Sequence, residues 1–317
     1  MSVLAKFERF WQHVGRIELR LTDMRRRTFI KNFALAASLP WIGRTAFAAA
    51  DKAPKAISNS HKILSCNIRV DVPADTNTGD GWAQRKELCA EVIHAQKADL
   101  IGIQECQEAH FKDLRSRMPE YEAYALANPD PVFHPANAIL FSRTRYELIS
   151  AGGFWLSEAP HVAGSKSWDS ARSRFANWVD LREKASGKEF RFWNTHLDHI
   201  GQQAREKGAA MIVQASAPLS KELPQIWTMD ANASTDNNAI RTVRDGGWQD
   251  TYTAVHGSED PGTTFHGFKG LKRGNGKKID WIFCKGPVKA VSASIIRDGR
   301  NDHYPSDHYF VSAEVSF

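Results

Sequence analysis

Short apolar runs rich in β-branched and aromatic residues recur along the chain between turn signals, at 62–68, 100–104, 138–141, 176–181, 190–195, 225–229, 278–283, 288–296 and 309–315. Runs of this length and composition predict strands. Helical spacing takes over in two places. Leu88, Val92 and Ala95 share one face of 84–96, and Met211, Ile212 and Ala215 share one face of 208–219, so helices are expected early and in the middle, with loops making up most of the rest. No uninterrupted apolar run approaches the roughly 18 residues that cross a membrane. The pattern is mixed α and β, with neither an internal repeat nor a long Gly/Ser or Pro linker, and it predicts one large domain over 51–317.

Charge changes the reading of the first fifty residues only. The chain of 317 residues carries a formal net charge of +6, but nine bases and only three acids fall within 1–50, and bases and acids balance over 51–317. Arg26-Arg27-Thr28-Phe29-Ile30-Lys31 reads as a twin-arginine box, followed by a weakly apolar stretch over 33–47 and the small-residue site Ala46-Phe47-Ala48. The segment is therefore expected to be a Tat export signal, cleaved within 48–50, and Met24 offers an alternative start. Pro40 and Arg44 interrupt the apolar stretch and make it a poor anchor. The expected product is a monomer in the periplasm or outside the cell, delivered by the Tat machinery and without a transmembrane anchor. Its neutral charge gives little long-range attraction for a polyanion and argues against tight, processive nucleic-acid binding.

Four cysteines, Cys66, Cys89, Cys106 and Cys284, form no C-x-x-C pair and no zinc spacing. They read as small buried hydrophobes, with a disulfide in an oxidising compartment as the alternative.

The informative polar residues fall in or beside the strand-like runs, where a sheet holds a side chain rigidly and leaves it open to substrate. Glu105 follows 100–104, and Asn67 lies inside 62–68. A carboxylate and an amide oxygen from neighbouring strands suit a hard divalent cation such as Mg²⁺ or Mn²⁺. In Asn194-Thr195-His196-Leu197-Asp198-His199 the leading candidate is His196, facing a phosphate or leaving group, with Asp198 or His199 as an orienting or solvated neighbour. Asp230 and Asn232 are two residues apart and project onto one face of an extended segment. The acid there suits orientation of an attacking water, and the amide suits a non-bridging oxygen; an Asx-turn is the plainer alternative. Asp280 lies inside 278–283, where burial is costly without a partner. Pairing with His308 would satisfy both groups and leave Asp307 for a metal.

The order of these elements resembles the endonuclease/exonuclease/phosphatase family of metal-dependent phosphoesterases. Cys66-Asn67-Ile68-Arg69, Gly102-Ile103-Gln104-Glu105, Asn194 to His199, Asp230-Ala231-Asn232, Ile279-Asp280-Trp281-Ile282 and Ser306-Asp307-His308 occur in the family's order over about 60–317. The resemblance implies an α/β (α+β) fold, a four-layer sandwich of two mixed sheets packed face to face with helices outside. It also implies metal-site roles for Asn67, Glu105 and Asp307, a phosphate-contacting His196, a water-orienting and phosphate-holding Asp230 and Asn232, and an acid–histidine dyad of Asp280 and His308. Met229 stands where the family commonly has glycine, so the turn or the approach of substrate is expected to differ there. Arg69, Arg143, Arg172, Arg174, His199 and His266 are candidate phosphate or substrate contacts.

The expected activity is hydrolysis of a phosphodiester or phosphomonoester by in-line attack of an activated water, dependent on Mg²⁺ or Mn²⁺. A nuclease acting on DNA or RNA is the alternative, and a catalytically inactive binding module of the same fold stands behind it. A serine hydrolase is disfavoured because no G-x-S-x-G turn occurs.

Overall fold

All nine expected strands form, with ends displaced by a few residues, and three more join them. The structure, a computed structural model, describes residues 60–130, 134–259 and 261–317; the expected export signal and its cleavage site lie outside them. The strands are β1 (Ser60–Asn67), β2 (Leu100–Gln107), β3 (Tyr121–Ala125), β4 (Pro135–Ser142), β5 (Tyr146–Trp155), β6 (Phe175–Glu183), β7 (Glu189–His196), β8 (Gln225–Asp230), β9 (Gln249–Asp250), β10 (Asp280–Lys285), β11 (Lys289–Ile296) and β12 (Phe310–Ser316). The helices are α1 (Pro73–Thr78), α2 (Trp82–Ala95), α3 (Glu108–Arg117), α4 (Gln202–Ser216), α5 (Asn238–Asp245) and α6 (Thr251–His256). Helix α4 starts six residues before its expected first turn and stops before Ala217, because Pro218 has no N–H to continue the hydrogen-bond ladder.

Two six-stranded mixed sheets result, ordered β11-β12-β1-β2-β4-β3 and β5-β6-β7-β8-β10-β9. Each has one parallel pair, β1 with β2 and β7 with β8. Three apolar clusters define the layers. Ile63, Leu100 and Phe141 of the first sheet meet Val179, Phe192 and Ile282 of the second in the middle. The outer face of the first sheet packs Leu64, Ile101 and Ile103 against Cys89, Ile93 and Leu114 of α2 and α3. The outer face of the second packs Trp193, Trp227 and Trp281 against Ile212, Ala215 and Ile240 of α4 and α5. Helices, sheet, sheet and helices form the four layers. All four cysteines are buried free thiols.

Near the strand ends the middle layer turns polar. Gln104 Nε2 donates to Asn194 Oδ1 at 2.7 Å across the two sheets. A Cβ on Gly102 would collide with Thr228 Oγ1, so glycine there lets β2 approach β8 closely. The sheets are thus pinned together directly beneath the strand ends that carry the candidate chemistry.

At the opposite end, His61 is buried with Nδ1 2.7 Å from Tyr146 Oη. Burial, with Arg145 nearby, pushes the imidazole down to about 4. The folded state therefore refuses a proton that the unfolded chain accepts below about 6.5, and stability is lost as pH falls through the interval between these values. Denaturant titrations at pH 7 and pH 5 are expected to differ by on the order of 1–2 kcal/mol from this residue. His61→Gln should remove that part of the slope; an unchanged slope would assign the acid sensitivity elsewhere.

Candidate active site

Register alone assembles half of the site. His196 pairs with Asp230 across β7 and β8, and Asp280 pairs with Asp230 across β8 and β10, so the three side chains form one row on one face at the end of the second sheet. Asn67 ends β1 opposite Gln104 of β2. Glu105 sits where the β2–β4 register shifts, between Ile103 and Cys106, with φ at +58°. A bulge of this kind re-aims a side chain, here toward Asn67. Arg69 (φ +60°) and Asn232 (φ +46°) are also left-handed. Such backbone is costly for residues other than glycine and collects at functional sites.

These residues converge. Asn67 Nδ2 donates to Glu105 Oε1 at 3.1 Å and to Asp230 Oδ2 at 2.8 Å, and lies 3.5 Å from His308 Nε2. His308 Nδ1 is 2.9 Å from Asp280 Oδ2, which joins the two sheets. Asp230 Oδ2 is 3.3 Å from His196 Nε2, and Asn232 Nδ2 is 2.8 Å from that same nitrogen while donating to Leu197 O at 3.1 Å. The Asn232 backbone N–H donates to Asp230 Oδ1 at 2.8 Å, the Asx-turn; the turn and the shared face coexist.

Burial and neighbouring charge divide the ionisable groups. Burial, reinforced by Asp280, pushes the Asp230 carboxyl up to about 7. Burial also raises Asp307. It would raise Glu105 too, but the Val70 N–H, His308, Asn67 and Arg69 hold that carboxylate below its usual range. Burial, with Arg174 and His308 beside it, keeps His196 neutral. For His308 burial opposes charge, and Asp280, Asp230 and Asp307 overcome it and hold the imidazole protonated.

Ligand atoms of Glu105, His196 and Asp230 lie within 4.8 Å of one another, as do those of Asp230, Asp280 and His308. The Asn67 amide, a partly positive group, points at the spot where the Glu105 and Asp230 oxygens meet. Hard oxygen donors around such a point fit a divalent cation. Asp307 stands beside these groups, with Oδ2 3.5 Å from Arg69 Nη1 and Oδ1 4.0 Å from His308 Nε2.

The rim follows. Arg69 is held by Asp75, with Nε donating to Oδ2 at 2.8 Å. Arg174 lies between Asp198 (Nε to Oδ2, 3.5 Å) and His199 (Nη2 to Nδ1, 3.2 Å). Asp198 is buried and accepts from the backbone N–H groups of Arg172, Ile200 and Gly201, so it fixes the loop carrying Arg172 and His199 and is not solvated. Two expected contacts are corrected. Arg143 lies beyond the far end of β4, bonded to Glu122 at 3.0 Å. His266 is fully buried against Tyr304 and Tyr309, and its backbone N–H donates to Asp307 O; it supports the Asp307 loop and offers no surface to a substrate. Met229 points into the outer core, away from the face bearing Asp230, and so leaves the approach to that acid open.

Several supports escaped the sequence. Thr264 Oγ1 accepts from the backbone N–H groups of Ile279 at 2.9 Å and Asp280 at 3.2 Å, and Asp75 anchors Arg69. Neither shows a pattern beyond an ordinary loop or helix residue.

A sequence model of the Endonuclease/Exonuclease/phosphatase family matches residues 64–308. The structure resembles an endonuclease/exonuclease/phosphatase from Bacteroides vulgatus, with TM-score 0.74 and 28% identity over 81% of this chain and 99% of that one. It also resembles a mannosyl-6-phosphatase of Bacteroides thetaiotaomicron, with TM-score 0.72 and 27% identity over 81% of this chain and 100% of that one. Zebrafish (D. rerio) TDP2 in complex with a single-strand DNA product shares the fold at TM-score 0.65 and 16% identity, over 81% of this chain and 99% of that one. An uncharacterised protein of Acanthamoeba polyphaga mimivirus is 25% identical over 43% of this chain, and the match spans 54% of that protein, about half its length.

Proposed function

This chain belongs to the endonuclease/exonuclease/phosphatase family, and from that premise we propose that it is an exported phosphoesterase that hydrolyses its substrate by in-line attack of water. Members of the family are divalent-metal-dependent hydrolases of phosphoester bonds. The observation that carries the reading is the pair of clusters, Glu105 with His196 and Asp230, and Asp280 and His308 with the same Asp230, assembled through strand register and the inter-sheet hydrogen bonds from Asn67 and His308. Glu105, with Asp307 alongside, would hold the ion, Mg²⁺ or Mn²⁺, which when bound polarises a phosphoryl oxygen, and Asn67 orders the Glu105 and Asp230 carboxylates beside it. Asp230, fixed through both oxygens by Asn67 and the Asn232 N–H, orients the water and accepts its proton. Asn232 and neutral His196 hold a non-bridging oxygen, and the His308 imidazolium, backed by Asp280, stabilises charge that develops in the transition state. Arg69, Arg174 and His199 are rim groups for the remainder of the substrate.

A phosphomonoester of a small polar molecule is the favoured substrate class. The mannosyl-6-phosphatase is 27% identical to this chain along its whole length, and the balanced charge over 51–317 supplies no polyanion track. The nuclease reading rests on the shared fold.

The purified protein should hydrolyse a chromogenic phosphomonoester with Mg²⁺ or Mn²⁺, lose that activity in EDTA, and lose at least about a hundredfold in Asp230→Ala. Preference for the diester analogue would move the assignment to nucleic acids or headgroups; silence on both would leave the binding module. Sequencing the amino terminus of the protein recovered from cells tests export, and a chain beginning before residue 48 would reject cleavage at 48–50.

A further inference from the structure

The β1–β12 ladder ends at the pair Ser65 and Val311. Beyond it the two strands part, and the candidate chemistry of the first sheet lies in the fork, with Asn67 and Arg69 on one prong and Asp307 and His308 on the other. Among the described residues no backbone hydrogen bond joins 66–70 to 304–308. The guanidinium of Arg85 bridges the two prongs just beyond Asn67 and His308. It is 3% exposed and donates from Nη1 to Ile68 O at 2.9 Å and to Pro305 O at 2.7 Å, from Nη2 to Arg69 O at 3.1 Å, and from Nε to Asp80 O. Its faces meet Trp82 at 5.5 Å and Phe268 at 5.4 Å. Among the described residues it makes no ion pair with a carboxylate; four carbonyls and two aromatic rings receive it instead.

A buried charge without a counter-ion is expensive, and a chain that needed only to fill this space would use an apolar side chain. Arg85 has instead replaced the missing ladder, using the fixed fork of its donors to set the distance between the two prongs. We propose that Arg85 is a positioning residue of the phosphoesterase site, a cross-strand clamp that fixes Asn67 and Arg69 relative to Asp307 and His308. The inference rests on the reading of those residues as the hydrolytic site. Lysine cannot reproduce it, since one ammonium cannot face Ile68 O, Arg69 O and Pro305 O in the planar geometry that the guanidinium offers.

Arg85→Lys and Arg85→Met test the clamp. Both should fold, as judged by circular dichroism, and both should lower kcat by about ten- to a hundredfold with a smaller change in KM, the size expected of a reacting geometry displaced by about an ångström. In Arg85→Ala, guanidinium ion at millimolar concentration should restore part of kcat, and methylammonium at the same ionic strength should not. Independently of activity, amide hydrogen exchange should rise together in 66–70 and 304–308 in Arg85→Lys, and stay unchanged in β7 and β8. Wild-type kcat in the lysine and methionine variants, or exchange that rises uniformly over the domain, would overturn the clamp. If the wild-type protein hydrolyses no phosphate ester, the functional reading fails, and the paired exchange at the two prongs still decides whether Arg85 holds them.

Discussion

Replacing His308 with glutamine is expected to lower kcat by about a thousandfold or more, with the fold retained, when phosphate-ester hydrolysis is followed under saturating metal. His308 is placed by two constraints that no other residue duplicates. Its Nδ1 is 2.9 Å from Asp280 Oδ2, which fixes the ring plane and leaves Nε2 facing the site, 3.5 Å from Asn67 Nδ2 and 3.9 Å from Asp230 Oδ2. Burial opposes its charge, and the surrounding carboxylates of Asp280, Asp230 and Asp307 restore it. A preoriented cationic donor at the point where phosphoryl charge accumulates is stronger in the transition state than in the ground state, and losing one such donor costs roughly 10² to 10³ in kcat, with charge-assisted donors at the upper end.

Truncation has a structural side effect that must be separated out, because an unpaired buried Asp280 carboxylate destabilises by about 3–5 kcal/mol. Asp280→Asn combined with His308→Gln removes the charge together with its partner. The double variant should lose no more activity than His308→Gln alone, as residues acting as one unit do. A His308→Gln enzyme within tenfold of wild type would dismiss the dyad, and losses that multiply in the double variant would show two separate contributions.

The strands that the sequence did not reveal share one property. β3, β5 and β9 are all sheet edges, where one side of the strand is unpaired and the apolar pattern that burial imposes weakens. Within Tyr146–Trp155 the residues Glu147 to Ser150 are exposed or half-buried, and Gly152-Gly153 interrupts the apolar run. Yet Gly152 lies beneath the Trp178 ring, which leaves no room for a Cβ. Interior strands, covered on both faces, carried their signal in full. The polar residues at the strand ends were legible for the same reason, since a lone acid or amide ending an apolar run stands out against it.

Position across the sheets was not legible. Arg143 and Arg174 look alike in sequence, and only the direction of β4 and β6 puts one at the far end and the other beside Asp198. Helix α2 carries a signal of its own. Trp82, Arg85, Cys89, Val92 and Ile93 form its buried stripe, and an arginine on such a stripe requires internal acceptors.

Glu105→Gln is expected to raise the ion concentration that catalysis requires by at least about a hundredfold and to lower kcat by a comparable factor or more, as loss of a direct ligand should exceed the 10- to 100-fold typical of its supporting partners. Of Glu105, Asp230 and Asp307, Glu105 is the one whose surroundings favour the charged form. Asp230 and Asp307 are pushed up by burial, whereas the Val70 N–H donates to Glu105 Oε2 at 2.8 Å, Asn67 Nδ2 donates to Oε1 at 3.1 Å, and the carboxylate is held below its usual range. The strained backbone at +58° aims it at the spot shared with Asp230. Glutamine keeps the shape and one acceptor oxygen and removes the charge, so folding should survive while cation binding suffers. Titrating activity with Mn²⁺, alongside direct Mn²⁺ binding followed by electron paramagnetic resonance, separates the two effects. Weaker binding with kcat recovered at high Mn²⁺ would mean that Glu105 only recruits the ion. Weaker binding with kcat still depressed would mean that it also places the ion for the reaction. Unchanged binding and unchanged kcat in both Glu105→Gln and Glu105→Ala would remove Glu105 from the metal site.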